Sequence, residues 1–296
     1  MALNSSKNID HGNYIPSPIV HGMKVADGEH IRKVFVLGSA DVATGAEVAE
    51  QEALVGAMVG SAGSPTAKSA AEPTSESITE TTTESVTEPV EVTGLSRIPA
   101  NIEVGADASL DLTVIVLPGV SARIPLTIDL TGAHSKVRLS GIYLCSGHDD
   151  VTFDITMHHR TGDCRSQQTF NGLASGEAKC GFFGKIVIAP DAQRTEALQE
   201  NHNILLSDSA RVNTKPRLEI YADDVKCSHG ATVGKLNEDE QFYMRSRGIP
   251  EDEAKVLQMI SFVAPVLETI PEEAIDGELS RASVAELVEN AIRSFA

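Results

Sequence analysis

From Asn101 to about Leu236 the chain repeats one short phrase, an apolar run followed by a turn. SLDLTVIVL, IPLTIDL, KVRLSGIYL, VTFDITMHH, FFGKIVIA, NILLS and RLEIY are punctuated by Gly119, Gly132, Gly147, Asp149, Gly162, Gly172, Gly176, Asp191 and Asp208. The spacing is roughly one strand per dozen residues. Long helical patterns are missing between the strands, so a doubly wound α/β sheet is excluded. A sandwich, a barrel and a β-solenoid all satisfy the pattern. GADASLDL, GAHSKVRL and SGEAKCGF each lead from small or polar residues into a strand.

The flanks differ. Residues 1–59 are an N-terminal segment of uncertain structure, with a strand expected at Val34 to Leu37 and a Gly-weakened helix at Ala46 to Val59. Residues 60–95 are rich in Ser, Thr, Glu and Pro and nearly empty of large apolar side chains. Such a stretch buries too little surface to offset the entropy of ordering, so a disordered acidic linker is expected, ending between Gly94 and Pro99. Residues 96–236 are then the β core and 237–296 a small helical domain.

In that tail, Asn237 followed by Glu240 predicts a helix start, and Gly248 a stop after Arg247. Pro250 with Glu251, Asp252 and Glu253 predicts the next start. Val256, Ile260, Val263, Leu267 and Ile270 form one apolar stripe, broadened by Met259, Phe262 and Val266. Pro265 is expected to kink or end that helix. A last helix is expected from Ser283 to Phe295, with Ser283 and Glu286 as a capping box. Each stripe either packs on the β body or docks a partner.

A formal net charge of −18 argues against nucleic acid and anionic membrane surfaces. Trp is absent and aromatics are 4% of the chain, which disfavours stacking platforms for sugars or bases. With no basic-then-apolar leader and no run near the ~18–20 apolar residues of a spanning helix, a soluble cytoplasmic protein is expected. Cys145, Cys164, Cys180 and Cys227 form no C-x-x-C pair and no zinc or ferredoxin spacing. Cys145 and Cys180 read as small buried hydrophobes. His158 and His159 are adjacent on a strand, face opposite sides and cannot easily share an ion. They read as loop or surface residues, and His202, in QENHNILL, as a polar turn residue. No P-loop, G-x-S-x-G or H-E-x-x-H is present.

The densest segment is Pro216 to Gly248, PRLEIYADDVKCSHGATVGKLNEDEQFYMRSRG. Leu218, Ile220 and Ala222 alternate with polar neighbours, and Asp223 and Asp224 turn the chain. A second strand puts Val225, Cys227 and His229 on one face, until Gly230 and Gly234 break the ladder. A two-residue step sets the thiol and the imidazole roughly 6–7 Å apart at the Cβ, and from spacing alone the pair reads either as a packed thiol with a satisfied histidine or as two soft metal ligands. Two such groups cannot complete a four-ligand site.

LEIYADDVKCSHGATVG, followed by FYMRSRGI and an apolar helix, resembles the SufB/SufD scaffold proteins of the SUF iron–sulfur cluster assembly system, with CSHG closer to the SufD branch. Weaker resemblance runs back to about Asn101 and does not cover residues 1–95. It implies a mainly β fold, a right-handed parallel β-helix, capped by a C-terminal helical domain. It implies a noncatalytic scaffold that pairs with a SufB-like subunit, with a homodimer as the other pairing. His229, and with it Cys227, would lie at that interface as metal ligands, holding a nascent cluster only transiently. ATP hydrolysis would belong to a SufC-like ATPase docked on the helical end around Tyr243, Arg245, Arg247, Val256, Ile260 and Val263. The competing reading is a β-helix polysaccharide lyase or hydrolase. SufD-type proteins usually carry a helical N-terminal domain and a longer β-helix, which residues 1–95 do not show.

Overall fold

The computed structural model describes residues 22–38, 98–272 and 280–296. Twelve strands occupy the first two segments: β1 (Met23–Val25), β2 (His30–Leu37), β3 (Asn101–Val104), β4 (Ser109–Val116), β5 (Ala122–Leu130), β6 (Lys136–Cys145), β7 (Asp150–His159), β8 (Arg165–Ala174), β9 (Lys179–Ile188), β10 (Thr195–Leu205), β11 (Arg211–Ile220) and β12 (Val225–Gly234). Odd strands form one sheet and even strands the other, each of six strands, and every pairing is parallel. Parallel neighbours cannot be joined by a hairpin. Here the chain crosses to the opposite sheet and returns, so it winds as a β-solenoid. From β3 onward, register partners in successive coils are 26 to 32 positions apart in sequence, whereas β1 and β2 pair with residues 79 positions on. Of the three folds left open by the strand pattern, the solenoid is the one adopted.

The strand expected at Val34 to Leu37 lies within β2, which pairs with β4, while β1 pairs with β3. The body therefore takes its first coil from the segment that the sequence left unplaced. The helix expected at 46–59 and the linker at 60–95 lie outside the described residues. Gly172 lies inside β8 rather than at a turn, and β12 runs unbroken through Gly230.

The repeated entry phrases build stacked corners. Gly28, Asp107, His134, Asp163 and Arg194 each precede an even strand and each has positive φ. Left-handed backbone suits Gly and, less readily, Asp or Asn; His and Arg adopt it here against a steric cost. GADAS and GAHSK are two of these corners. A Cβ on Gly132 would collide with the backbone of Ala106 in the coil below, which requires glycine there. SGEAK belongs to a different corner, entering the odd strand β9 with Gly176 at φ 63°.

Two apolar clusters follow from the two faces. The lumen holds Leu110, Leu112, Ile124, Leu126, Ile128, Phe153, Phe170, Phe182 and their neighbours. Three helices follow the strands, α1 (Glu238–Ser246), α2 (Glu251–Leu267) and α3 (Arg281–Arg293), and the second cluster lies on the outer face of the even sheet, under α2 and α3. Val36, Ile115, Ile142, Leu144 and Leu173 meet Val256, Met259, Val263, Val266, Val284, Val288 and Ile292 there. This accounts for a contrast in the sequence. β5 and β7 alternate buried and outward residues, while β4, β6 and β8 end in continuous buried runs because both faces are covered. Asn171 Nδ2 ties β8 to α2 by donating to the Phe262 carbonyl at 2.6 Å.

Asn237 caps α1, its side chain accepting from the Asp239 and Glu240 N–H groups. Glu240 reaches back to the Asn237 amide rather than to its backbone. Asn237→Ala is expected to cost about 1 kcal/mol of α1 stability, read as faster amide exchange at Asp239 and Glu240. Gly248 follows the helix at φ 89°, in the left-handed region expected of it. Pro250 is the N-cap of α2 rather than a first-turn residue, and α2 continues through Pro265 to Leu267. The cap of α3 is Ser280, not Ser283; Ser280 Oγ accepts from the Ser283 N–H.

Candidate functional site

The solenoid ends on β11 and β12. No further strand pairs with either among the described residues, so their outer backbone edges are free. Ile220, Tyr221 and Val233 are exposed at that end, at 41%, 63% and 46%. Unpaired edges beside exposed apolar side chains are a template for another chain.

Cys227 and His229 lie on β12. Parallel in-register pairing sets Cys227 beside Ala197 and His229 beside Gln199. Ala197 and Gln199 are lumenal and buried, so both β12 residues point along the lumenal face at the open mouth. Cys227 is half-buried and packs against the lumenal cluster, whereas His229 is exposed. Burial pushes the Cys227 thiol up, partly offset by the Ala197 backbone. The free chain thus presents a neutral thiol, not a ready thiolate. Among the described residues no three His, Cys, Asp or Glu side chains converge as a metal site.

Beneath this mouth the lumen changes character. The inward residues of β4 are Leu110, Leu112, Val114 and Val116; those of β10 are Thr195, Ala197, Gln199, Asn201 and Asn203. The polar side chains are knitted together. Gln199 Nε2 donates to Gln168 Oε1 at 3.1 Å. The Tyr143 hydroxyl donates to Asn203 Oδ1 and accepts from Asn201 Nδ2, and Asn203 Nδ2 donates to Asn201 Oδ1 at 2.8 Å. Burial pushes the Tyr143 phenol up, which keeps it a donor. The sequence reading missed this network. Its signal was available: a period-two run of polar residues, Gln199, Asn201 and Asn203, on the face that buries Ala197.

The histidines are placed differently from expectation. His159 ends β7 and is 1% exposed, its Nε2 sharing a hydrogen bond with Ser166 Oγ at 2.8 Å. His158 points outward to Asp129, 3.0 Å away. His202 lies in β10, not a turn, and bonds Thr232 Oγ1 on β12. Neither His158 nor His159 is in a loop: the run VTFDITMHH stays a strand to its last residue, and its pleat keeps His158 on the outside and turns His159 inward. Cys145, Cys164 and Cys180 are all buried, and the Cys180 thiol together with burial holds the Cys145 thiol well up.

At the helical end the expected docking residues separate. Val256 and Val263 are buried against the sheet and Ile260 is partly buried, so the stripe is taken up by packing. Tyr243, Arg245 and Arg247 lie on or just after α1, which buries none of its residues. The Arg247 guanidinium lies 4.9 Å over the Tyr243 ring, and Arg245 pairs with Glu251 at 3.4 Å. Beside them Leu236, Tyr243, Met244, Leu257 and Phe262 line an apolar hollow of about 670 Å³. No helix among the described residues is long and apolar enough to cross a membrane.

A parallel β-solenoid with a thiol and an imidazole on its last rung, and helices folded back along one sheet, defines the class of protein. Residues 94–262 match the family described as SUF system FeS cluster assembly, SufBD core domain, and the chain belongs to that family. It is 34% identical over 169 residues to the iron–sulfur cluster assembly protein SufD of Escherichia coli (strain K12), covering 57% of this chain and 40% of that protein. It is 41% identical over 130 residues to a SufBD family protein of Synechocystis, covering 44% of this chain and 28% of the relative. It is 32% identical over 173 residues to the chloroplastic protein ABCI7 of Arabidopsis thaliana, covering 57% and 36%. The chain spans less than half the length of these relatives.

Proposed function

We propose that this chain is a noncatalytic, SufD-like scaffold subunit that helps assemble iron–sulfur clusters at its open coil. The observation that carries the reading is the position of His229: exposed, on the last strand of its sheet, whose outer edge is free among the described residues, at the mouth of a lumen whose lower rungs are closed. A solenoid end with free edges and exposed Ile220, Tyr221 and Val233 suits a second solenoid, here a SufB-like subunit. The partner must supply the remaining ligands, since this chain brings one imidazole and one thiol to the mouth. The cluster is cargo of the interface rather than a resident group. A SufC-like ATPase would dock at α1 and the neighbouring hollow, where Tyr243 and Met244 remain accessible, and would carry out ATP hydrolysis. The cytoplasm, with its reduced thiols, is the compartment that fits.

The test is co-expression with a SufB-like and a SufC-like protein, anaerobic purification of the complex and a visible absorption spectrum after reconstitution. His229→Ala, at an exposed position, should leave folding and complex formation intact. It should reduce the cluster formed on the order of tenfold or more, the range for lost support at a metal site. Undiminished absorption from the variant complex removes His229 from the site.

A further inference from the structure

We propose that Gln199 is a positioning residue for His229: its side-chain carbonyl accepts one imidazole N–H and so leaves the other ring nitrogen free, with its lone pair outward, for iron. This rests on the reading of His229 as a ligand and adds to it the group that orients the ring. Three observations converge. Gln199 is the register partner of His229, one coil below on the same face. It is fully buried, and its Oε1 has no hydrogen-bond partner among the described residues. Its Nε2 is already committed to Gln168 in the next coil down, so Oε1 is the atom left for the coil above.

The fold also makes room for this arrangement. The Gln199 side chain crosses the lumen to β9, where its carboxamide lies against Gly184. A Cβ at residue 184 would overlap both the Nε2 and the Cδ of Gln199. With an amide fixed from below and walled by the opposite strand, its free oxygen has little freedom to swing away. A buried carbonyl without a donor costs on the order of 1–3 kcal/mol. His229, the register partner of Gln199 in the coil above, carries a ring N–H that would serve as that donor. Ligating histidines commonly give their second N–H to a carbonyl, which fixes the tautomer and raises the basicity of the other nitrogen. Gln168 and Gln199 then form a two-step column that ends on the imidazole.

The test needs no cluster. ¹⁵N-detected NMR of the full chain, labelled at histidine and held at pH 8, reads the His229 tautomer directly. One pyrrole-like and one pyridine-like nitrogen are expected in the wild type. Gln199→Met keeps the length and removes the acceptor, and should return the averaged shifts of two exchanging tautomers. Gln199→Glu keeps an acceptor and should keep the single tautomer; should Gln199→Met fail to fold, this variant decides alone. Averaged shifts in the wild type, unchanged shifts in Gln199→Met or a lost tautomer in Gln199→Glu would overturn the proposal. In the reconstituted complex Gln199→Met should cut cluster formation by about tenfold. If the tautomer is locked but His229→Ala assembles clusters normally, the ligand reading fails while the positioning stands. If His229→Ala is inactive but the ring is unlocked, the reverse holds.

Discussion

Phe170→Ala is expected to lower the unfolding free energy by about 3–5 kcal/mol, with a lower denaturant midpoint and an unchanged slope. Phe170 is fully buried at the centre of an aromatic column that crosses the lumen from sheet to sheet. Tyr143 and Phe153 have ring centroids 5.6 Å apart, Phe153 and Phe170 5.1 Å, and Phe170 and Phe182 4.9 Å. Each tilted or edge contact adds to the area term. The cavity cannot close easily, because backbone ladders above and below fix the spacing of the coils. Phe170 also lies in register with Gly141, and a Cβ at residue 141 would run into its ring. Gly141→Val should therefore destabilise by overpacking, and Gly141→Val combined with Phe170→Ala should lose less than the two singles summed. A loss below about 1 kcal/mol for Phe170→Ala would mean the lumen is more plastic than a ladder-bound stack allows.

Acidification should destabilise the chain between about pH 6.5 and pH 4 through one residue, His159. Burial, with a smaller contribution from His158, pushes its imidazole down from 6.5 to about 4. The folded chain thus holds the neutral ring, while the unfolded chain takes up a proton first as pH falls. Stability is full above about pH 6.5 and declines towards pH 4, by about 3 kcal/mol in all. Below that range the salt-bridged Asp163 and Asp208, whose carboxyls Arg194 and Lys235 hold below their ordinary value, begin to add their own acid sensitivity. His159→Gln removes the titration and retains a partner for Ser166. Its stability should be nearly flat from pH 6.5 to 4.5, measured by denaturant unfolding at each pH. A variant slope equal to that of the wild type would assign the acid sensitivity elsewhere.

Much of the body was legible because strand periodicity is local. The runs SLDLTVIVL and VTFDITMHH fall on β4 and β7, and the Asn237 cap and Gly248 stop fall where their chemistry requires. That Cys227 and His229 share a face was legible from the two-residue pleat; that they form a site was an expectation carried by the resemblance of CSHG, not by their spacing. Other features depended on partners distant in the chain. Gly172 read as a turn because a lone glycine breaks strands; it sits in β8 because Tyr143, in the coil below, needs the space of its missing Cβ. Val256 and Val263 read equally well as packing or docking, and only the apolar outer face of β4, β6 and β8 decides for packing. Ser283 lost the cap to Ser280, three residues earlier, since either serine satisfies the local rule.

By itself the sequence determined that the chain makes short strands without intervening helices, that helices follow them, and that Cys227 and His229 face one way. Those are properties of neighbours along the backbone, set by pleat and helical pitch. That the strands coil into two parallel sheets, that β1 and β2 supply the first rung, and that Gln199 stands beneath His229 were decided only by the tertiary structure. Register partners in successive coils lie 26 to 32 positions apart, and 79 for the first rung, and no local pattern encodes which residue of one coil will lie beside which residue of the next.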